Sequence, residues 1–213
     1  MKLYTYQTGN DGVDRIGVEC AGWRGMLWPL EAFGLKFPDM HDLICHITPA
    51  QLSRIADAEN ATEGNALRLN SVRLRSPIPH PEQDIICLGI NYADHAVESA
   101  RFHEDAFLLN REKATYFSKR AYETTGSGDP IPAYEGLVTE LDYEAELGVV
   151  IGRDCKKVSE NEAPNHIFGY TIVNDVSARN LQTEHNQWYF GKSLDGFTPC
   201  PATPFPGCGA STA

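Results

Sequence analysis

The chain is short of positive charge. Lysine and arginine number 18 against 29 aspartates and glutamates, giving a formal net charge of −11 and a pI of about 5.0. Nucleic acids and anionic membranes are bound by basic faces, so neither is an expected partner. An anionic small molecule stays possible, because a bound metal or one lysine outweighs the global field locally. Paired cysteines are missing as well. Cys20, Cys45, Cys87, Cys155, Cys200 and Cys208 form no CxxC and no tight cluster, which argues against a disulfide scaffold or a zinc knuckle. No apolar run approaches the roughly 18 residues of a membrane span. The opening Met1–Tyr6 lacks the apolar core of a signal peptide. These absences predict a soluble chain of a reducing, cytoplasmic compartment. What is present is ordinary for a globular protein, with 42% hydrophobic and 22% charged residues. At 213 residues there is room for a small domain followed by a larger one.

The first 76 residues read as a small α+β domain. Lys2–Gln7, Asp14–Glu19 and Trp23–Leu27 are short strands separated by turn signals at Asn10-Asp11-Gly12 and Ala21-Gly22, an antiparallel meander. Asp39–Ile47 has helical spacing, with Met40, Leu43, Ile44 and Ile47 on one face. Thr48-Pro49-Ala50-Gln51 then carries an N-cap threonine, proline at the first helical position and glutamine at the third. That predicts a second helix running to about Glu59. His41 and His46 are five apart and fall on different helix faces, as surface histidines do. Val72–Leu74 resembles one more strand. Pro77, Pro79 and Pro81 then make a stiff connector, and the domain boundary is placed there.

Chemistry gathers after the connector. Leu141–Gly152 reads as a strand, since it ends in a β-branched apolar run bounded by glycine. Alternation puts Glu144 and Glu146 on one face. Two close carboxylates repel unless a proton or cation lies between them, and a hard cation such as Mg²⁺, Mn²⁺ or Ca²⁺ takes oxygen ligands. Two surface glutamates are the alternative at this point. Ile85–Leu88 reads as a buried strand ending at Gly89, followed by Asp94, His95 and Glu98. On a helical turn His95 and Glu98 are neighbours, and a carboxylate beside an imidazole raises its basicity as a general base requires. A surface histidine beside a chance carboxylate fits the same residues. Thr125–Pro130 is a glycine-rich turn without the lysine and helix of a phosphate loop. Ser159 and Glu162 form a capping box for a short helix. Phe168–Val173 is another apolar strand, ending at the polar run Asn174–Asn180, and polar residues at strand ends are where sites are built. Lys192 stands between two glycines, Gly191 and Gly196, as turn lysines also do.

In their order, Gly89–His95, Thr125–Pro130, Asp142–Gly152, Gly169–Asn180 and Gly191–Pro199 resemble the fumarylacetoacetate hydrolase family. The resemblance covers roughly Pro77–Thr198, and the preceding region looks like the small N-terminal domain of bacterial members. It implies an α+β, mainly β fold, a mixed β-roll or barrel core over residues 77–199 preceded by the small domain. It places divalent-metal ligands on Glu144, Glu146 and Asp175, a catalytic pair on His95 and Glu98, and family lysines on Lys119 and Lys192. The resemblance implies a catalytic cation at Lys192 and substrate-side groups at Lys119, Arg179 and Gln182, with Asp94 beside them. The cofactor implied is Mg²⁺ or Mn²⁺, with Ca²⁺ after them, and the assembly implied is a homodimer. The substrate implied is a small 2-oxo acid or 1,3-diketone handled through a metal-bound enolate. The reaction implied is C–C bond hydrolysis of the fumarylacetoacetate or acylpyruvate type, or 2-hydroxymuconate-type isomerisation in aromatic catabolism. Oxaloacetate decarboxylation is a further option.

The family pattern stops after Pro199. Residues 200–213 are rich in proline, glycine, serine and threonine with no periodicity, as in a frameshifted or truncated end. Uncovered sheet edges and apolar faces are therefore expected. The second functional reading is a truncated, catalytically impaired relative that retains only metal binding.

Overall fold

The computed structural model describes residues 1–61, 66–89, 114–185 and 187–201. Strands predominate in a mixed α+β architecture. No helix among the described residues is long and apolar enough to cross a membrane.

The N-terminal sheet has five strands: β1 Lys2–Gln7, β2 Arg15–Glu19, β3 Met26–Pro29, β4 Leu67–Arg68 and β5 Arg73–Leu74, in the order β4-β3-β2-β1-β5. Its neighbours are all antiparallel. β1 is covered on both faces. Leu3 joins a core with Ile16, Val18, Phe33, Met40, Leu43 and Ile55, while Tyr4 and Tyr6 pack with Leu27, Leu67 and Leu74 on the other side. The helices α1 Met40–His46 and α2 Pro49–Ala56 close the first core. Asp39 caps α1 by accepting the Asp42 N–H at 2.8 Å. Thr48 and Gln51 form the expected reciprocal box, at 3.2 and 2.8 Å. α2 ends three residues early, because Asp57 turns extended and a separate 3₁₀ turn follows over Ala58–Asn60.

Glu19 shows how polar groups are held in this unit. Its carboxylate accepts the Gly25 N–H at 2.6 Å and the Tyr4 hydroxyl at 3.1 Å, with Lys2 Nζ at 3.4 Å. Burial works against its charge, but those donors outweigh it, so its pKa lies below the ordinary glutamate value. A lowered folded pKa stabilises the fold above the ordinary value, and that contribution is lost as pH falls through the folded pKa. Glu19→Gln is thus expected to cost about 1–2 kcal/mol at pH 7. In urea titrations the gap to the parent chain should close on acidification; a gap independent of pH would contradict this.

The second part carries three two-stranded antiparallel ribbons. β6 Ile85–Gly89 pairs with β7 Thr115–Lys119, β9 Ala145–Ile151 with β10 Ile167–Asn174, and β8 Leu141–Asp142 with β11 Ser177–Ala178. Two short helices follow, α3 Arg179–Glu184 and α4 Trp188–Lys192. Val150 and Phe168 on the inner face of β9–β10 pack against the N-terminal core. The outer face, with Leu147, Val149, Ile151 and Ile172, is exposed.

Further local expectations differ from the structure. The strand Leu141–Gly152 is two strands, β8 and β9, broken at Tyr143-Glu144. There the Asn174 side chain accepts the Glu144 N–H at 3.1 Å, and the Glu144 carbonyl accepts the Asp175 N–H at 2.8 Å. These bonds take the place of a regular ladder. The β6 run is not buried, since alternation turns Ile86 and Leu88 to solvent. Ser159 does bond the Glu162 carboxylate, at 2.7 Å, but the pair closes a turn ahead of the 3₁₀ turn Ala163–His166 and does not cap it. Finally, Cys200 is buried, and its N–H is donated to the Thr125 carbonyl at 2.9 Å. The irregular tail thus remains tied to the core at its first residue.

Candidate active site

The site lies where β7, β8, the β8–β9 break and the end of β10 meet α3 and α4. Asp175 follows β10 directly and is nearly buried, as are Lys119 at the end of β7 and Lys192 at the end of α4. Lys192 Nζ donates to Asp175 Oδ2 at 2.6 Å and to Glu144 Oε2 at 2.9 Å. One ammonium thereby bridges two of the three proposed metal ligands. The Phe117 ring centroid lies 5.2 Å from the same nitrogen, and Phe117 in turn meets Trp188 edge-on at 5.3 Å. Gly89 makes this packing possible, because a Cβ there would lie 2.5 Å from the Trp188 ring.

Lys119 Nζ stands 2.8 Å from Asp175 Oδ1. Its well-directed hydrogen bonds go to the carbonyls of Val176, at 3.0 Å, and of Lys192. Asp175 Oδ1 is buried against that ammonium, which is its charge partner. Burial lowers the Lys119 pKa, against the opposing pull of Asp175. Burial also pushes the nearby Cys87 thiol up to about 12, with the Asp175 charge adding to the effect. At neutral pH Cys87 is a thiol, not a thiolate nucleophile.

Arg179 opens α3 and faces the other side of Glu144. Its Nη2 lies 2.7 Å from Glu144 Oε1 and 2.7 Å from Asp142 Oδ2, and Nε donates to the same Asp142 oxygen at 3.0 Å. Its Nη1 donates to Gln182 Oε1 at 3.0 Å. Burial acts against the guanidinium charge, but Asp142 and Glu144 outweigh it and the pKa rises.

The structure therefore brings together Glu144, Asp175, Lys119, Lys192, Arg179 and Gln182. Glu146 sits on β9 opposite Val173, two residues beyond Glu144. Asp94, His95 and Glu98 lie outside the described residues. Among the described residues no three His, Cys, Asp or Glu side chains are grouped closely enough to hold a metal ion. The donor chemistry nevertheless suits a hard cation. Two carboxylates converge on one positive centre, an oxygen donor set of the kind such an ion takes. Asp142 was not among the sequence candidates. The signal was present, since Asp142, Glu144 and Glu146 share one parity of the alternation.

Three comparisons bear on what this arrangement belongs to. The family model described as the fumarylacetoacetate (FAA) hydrolase C-terminal matches residues 84–206. The chain is 43% identical over 155 residues to the oxaloacetate tautomerase YisK of Bacillus subtilis (strain 168), covering 72% of this chain and 49% of that protein. It is 34% identical over 201 residues to the mitochondrial oxaloacetate tautomerase fahd2 of Xenopus laevis, covering 93% and 60%. Among solved structures, the fumarylacetoacetate hydrolase EaFAH of psychrophilic Exiguobacterium antarcticum superimposes with a TM-score of 0.71 at 33% identity, over 97% of this chain and 66% of that one. The chain thus spans between about half and two thirds of the length of these relatives. It belongs to the fumarylacetoacetate hydrolase family.

Proposed function

We propose that the site serves enolate chemistry on 2-oxo acids, with keto–enol tautomerisation of oxaloacetate as the reaction. The observation that carries this is the convergence of Glu144 and Asp175 on Lys192 at the strand ends. The tautomerase relatives supply the substrate class. Glu144, Glu146 and Asp175 would hold Mg²⁺ or Mn²⁺, both of which accept oxygen ligands. When bound, such an ion polarises the 2-oxo group and offsets the negative charge that develops on its oxygen. Lys192, held between Glu144 and Asp175, would direct its amino group to the same oxygen. Gln182, whose Oε1 accepts from Arg179, would have its amide hydrogens left to donate to the substrate. Tautomerisation moves one proton from the carbon next to the oxo group to the oxo oxygen. His95, with Glu98 as its expected carboxylate partner, would carry it.

C–C hydrolysis is the second reading, favoured by the structural relative named as a hydrolase. It needs the same enolate with water attacking a distal carbonyl.

The test follows the ultraviolet absorbance of the oxaloacetate enol, with acylpyruvates and hydroxymuconate-type acids assayed in parallel, with Mg²⁺ or Mn²⁺ and with chelator. Metal-dependent acceleration on oxaloacetate is expected, and Glu146→Gln should remove most of it, by about tenfold or more. Turnover of acylpyruvates alone would select hydrolysis. Metal uptake without turnover on any substrate would select the non-catalytic reading, and full activity in chelator would sink the metal assignment.

A further inference from the structure

We infer that Asp142 is a positioning residue for the site: through Arg179 it fixes the plane of the Glu144 carboxylate and the orientation of the Gln182 amide. The inference rests on the proposal that Glu144 is a metal ligand.

Asp142 itself is fully engaged. Oδ1 accepts the Tyr143 N–H at 2.8 Å, and Oδ2 accepts both Nε and Nη2 of Arg179. It is therefore an anchor and not a free ligand. The anchor is itself braced by backbone. Ser177 pairs with Asp142 and Ala178 with Leu141 across β8–β11, and the Arg179 N–H is donated to the Glu140 carbonyl at 2.8 Å. These bonds keep Asp142 and Arg179 in register whatever their side chains do.

An arginine side chain has many rotamers, and its planar fork is useful only when pre-organised. Here two nitrogens are tied to Asp142, which aims the shared Nη2 at Glu144 Oε1 and Nη1 at Gln182. Glu144 Oε2 is taken by Lys192, so a cation on each side defines the carboxylate plane. Groups that orient a ligand without touching the metal commonly change metal affinity by about 10–100-fold when removed. A mere surface ion pair, by contrast, would affect stability weakly and the metal not at all.

Mn²⁺ binding to the full chain, measured by isothermal titration calorimetry with thermal melts alongside, separates these roles. Asp142→Asn should weaken Mn²⁺ by about 10–100-fold while shifting the melting temperature by no more than about 4 °C. The double variant D142N/R179Q should bind Mn²⁺ within about twofold of R179Q alone, because the two residues act in series. Additive losses, or an Asp142→Asn affinity within twofold of the parent while Glu144→Gln loses binding, would overturn the inference. If Glu144→Gln also binds normally, the metal reading of the site is what fails. Should Asp142→Asn not fold, Arg179→Lys decides: it keeps the charge but not the fork, and a wild-type Mn²⁺ affinity there overturns the inference equally.

Discussion

Asparagine at position 175 is expected to destabilise the fold by about 3–5 kcal/mol, because it leaves buried ammonium groups without their counter-charge. Asp175 faces Lys119 at 2.8 Å through one oxygen and Lys192 at 2.6 Å through the other. The two lysine side chains are 1% and 3% exposed, so neither can recover its hydration by a small movement. Glu144 cannot compensate both, since it is shared with Arg179 and contacts only Lys192. Urea unfolding at pH 7 measures the loss. The sharper measurement adds Lys119→Met. In the parent chain that change strands Asp175 Oδ1 and should destabilise. In the Asp175→Asn background it removes a buried charge that has lost its counter-charge and should stabilise. A reversal of sign between backgrounds is the signature of a coupled buried pair. If Lys119→Met lowers stability equally in both, the charges are not coupled and the geometry around Asp175 does not govern the fold.

This cluster also shows where reading the residues alone stops. The alternation through Glu144 and the polar end of the next strand pointed to Glu144 and Asp175, which do converge on Lys192, whereas Glu146 stands two residues further along β9. Lys119 was harder to place. It ends a segment of mixed character, and a lysine is by default a surface residue. Only the pairing of β7 with β6 and the distant carbonyls of Val176 and Lys192 bury it. Asp142 shares the parity of Glu144 and Glu146, but its role does not show in the sequence, for a related reason. Its partner Arg179 is brought near by the β8–β11 pair, two residues on each side, too short to announce itself by periodicity. Local signals were read well where they are local, as in the capping box of α2. The exposure of Ile86 and Leu88 was missed because a continuous apolar run does not say which of its faces will be covered.

Gly191 is the position where a single methyl group should do the most damage to the site without touching a charge. A Cβ there would lie 2.7 Å from the Ala178 carbonyl oxygen, 2.7 Å from the Gln182 nitrogen and 3.0 Å from the Gln182 Cα. All three are backbone atoms of β11 and α3, so no side chain can swing away to make room. Gly191→Ala must instead push α4 from α3, at a cost of about 3 kcal/mol. The next residue is Lys192, whose two contacts with Glu144 and Asp175 are at 2.9 and 2.6 Å. A displacement of about 1 Å breaks that geometry and is expected to lower turnover by about 100-fold. Gly9→Ala is the control. Gly9 has φ +59 and nothing within 4 Å of its Cβ position, so alanine there meets only the left-handed backbone penalty of about 1 kcal/mol. It should leave turnover unchanged. Comparing the two variants by urea unfolding and by the proposed oxaloacetate tautomerisation separates close packing from backbone strain. Equal losses in both would mean that the approach of α4 to α3 is not what holds Lys192 between the carboxylates.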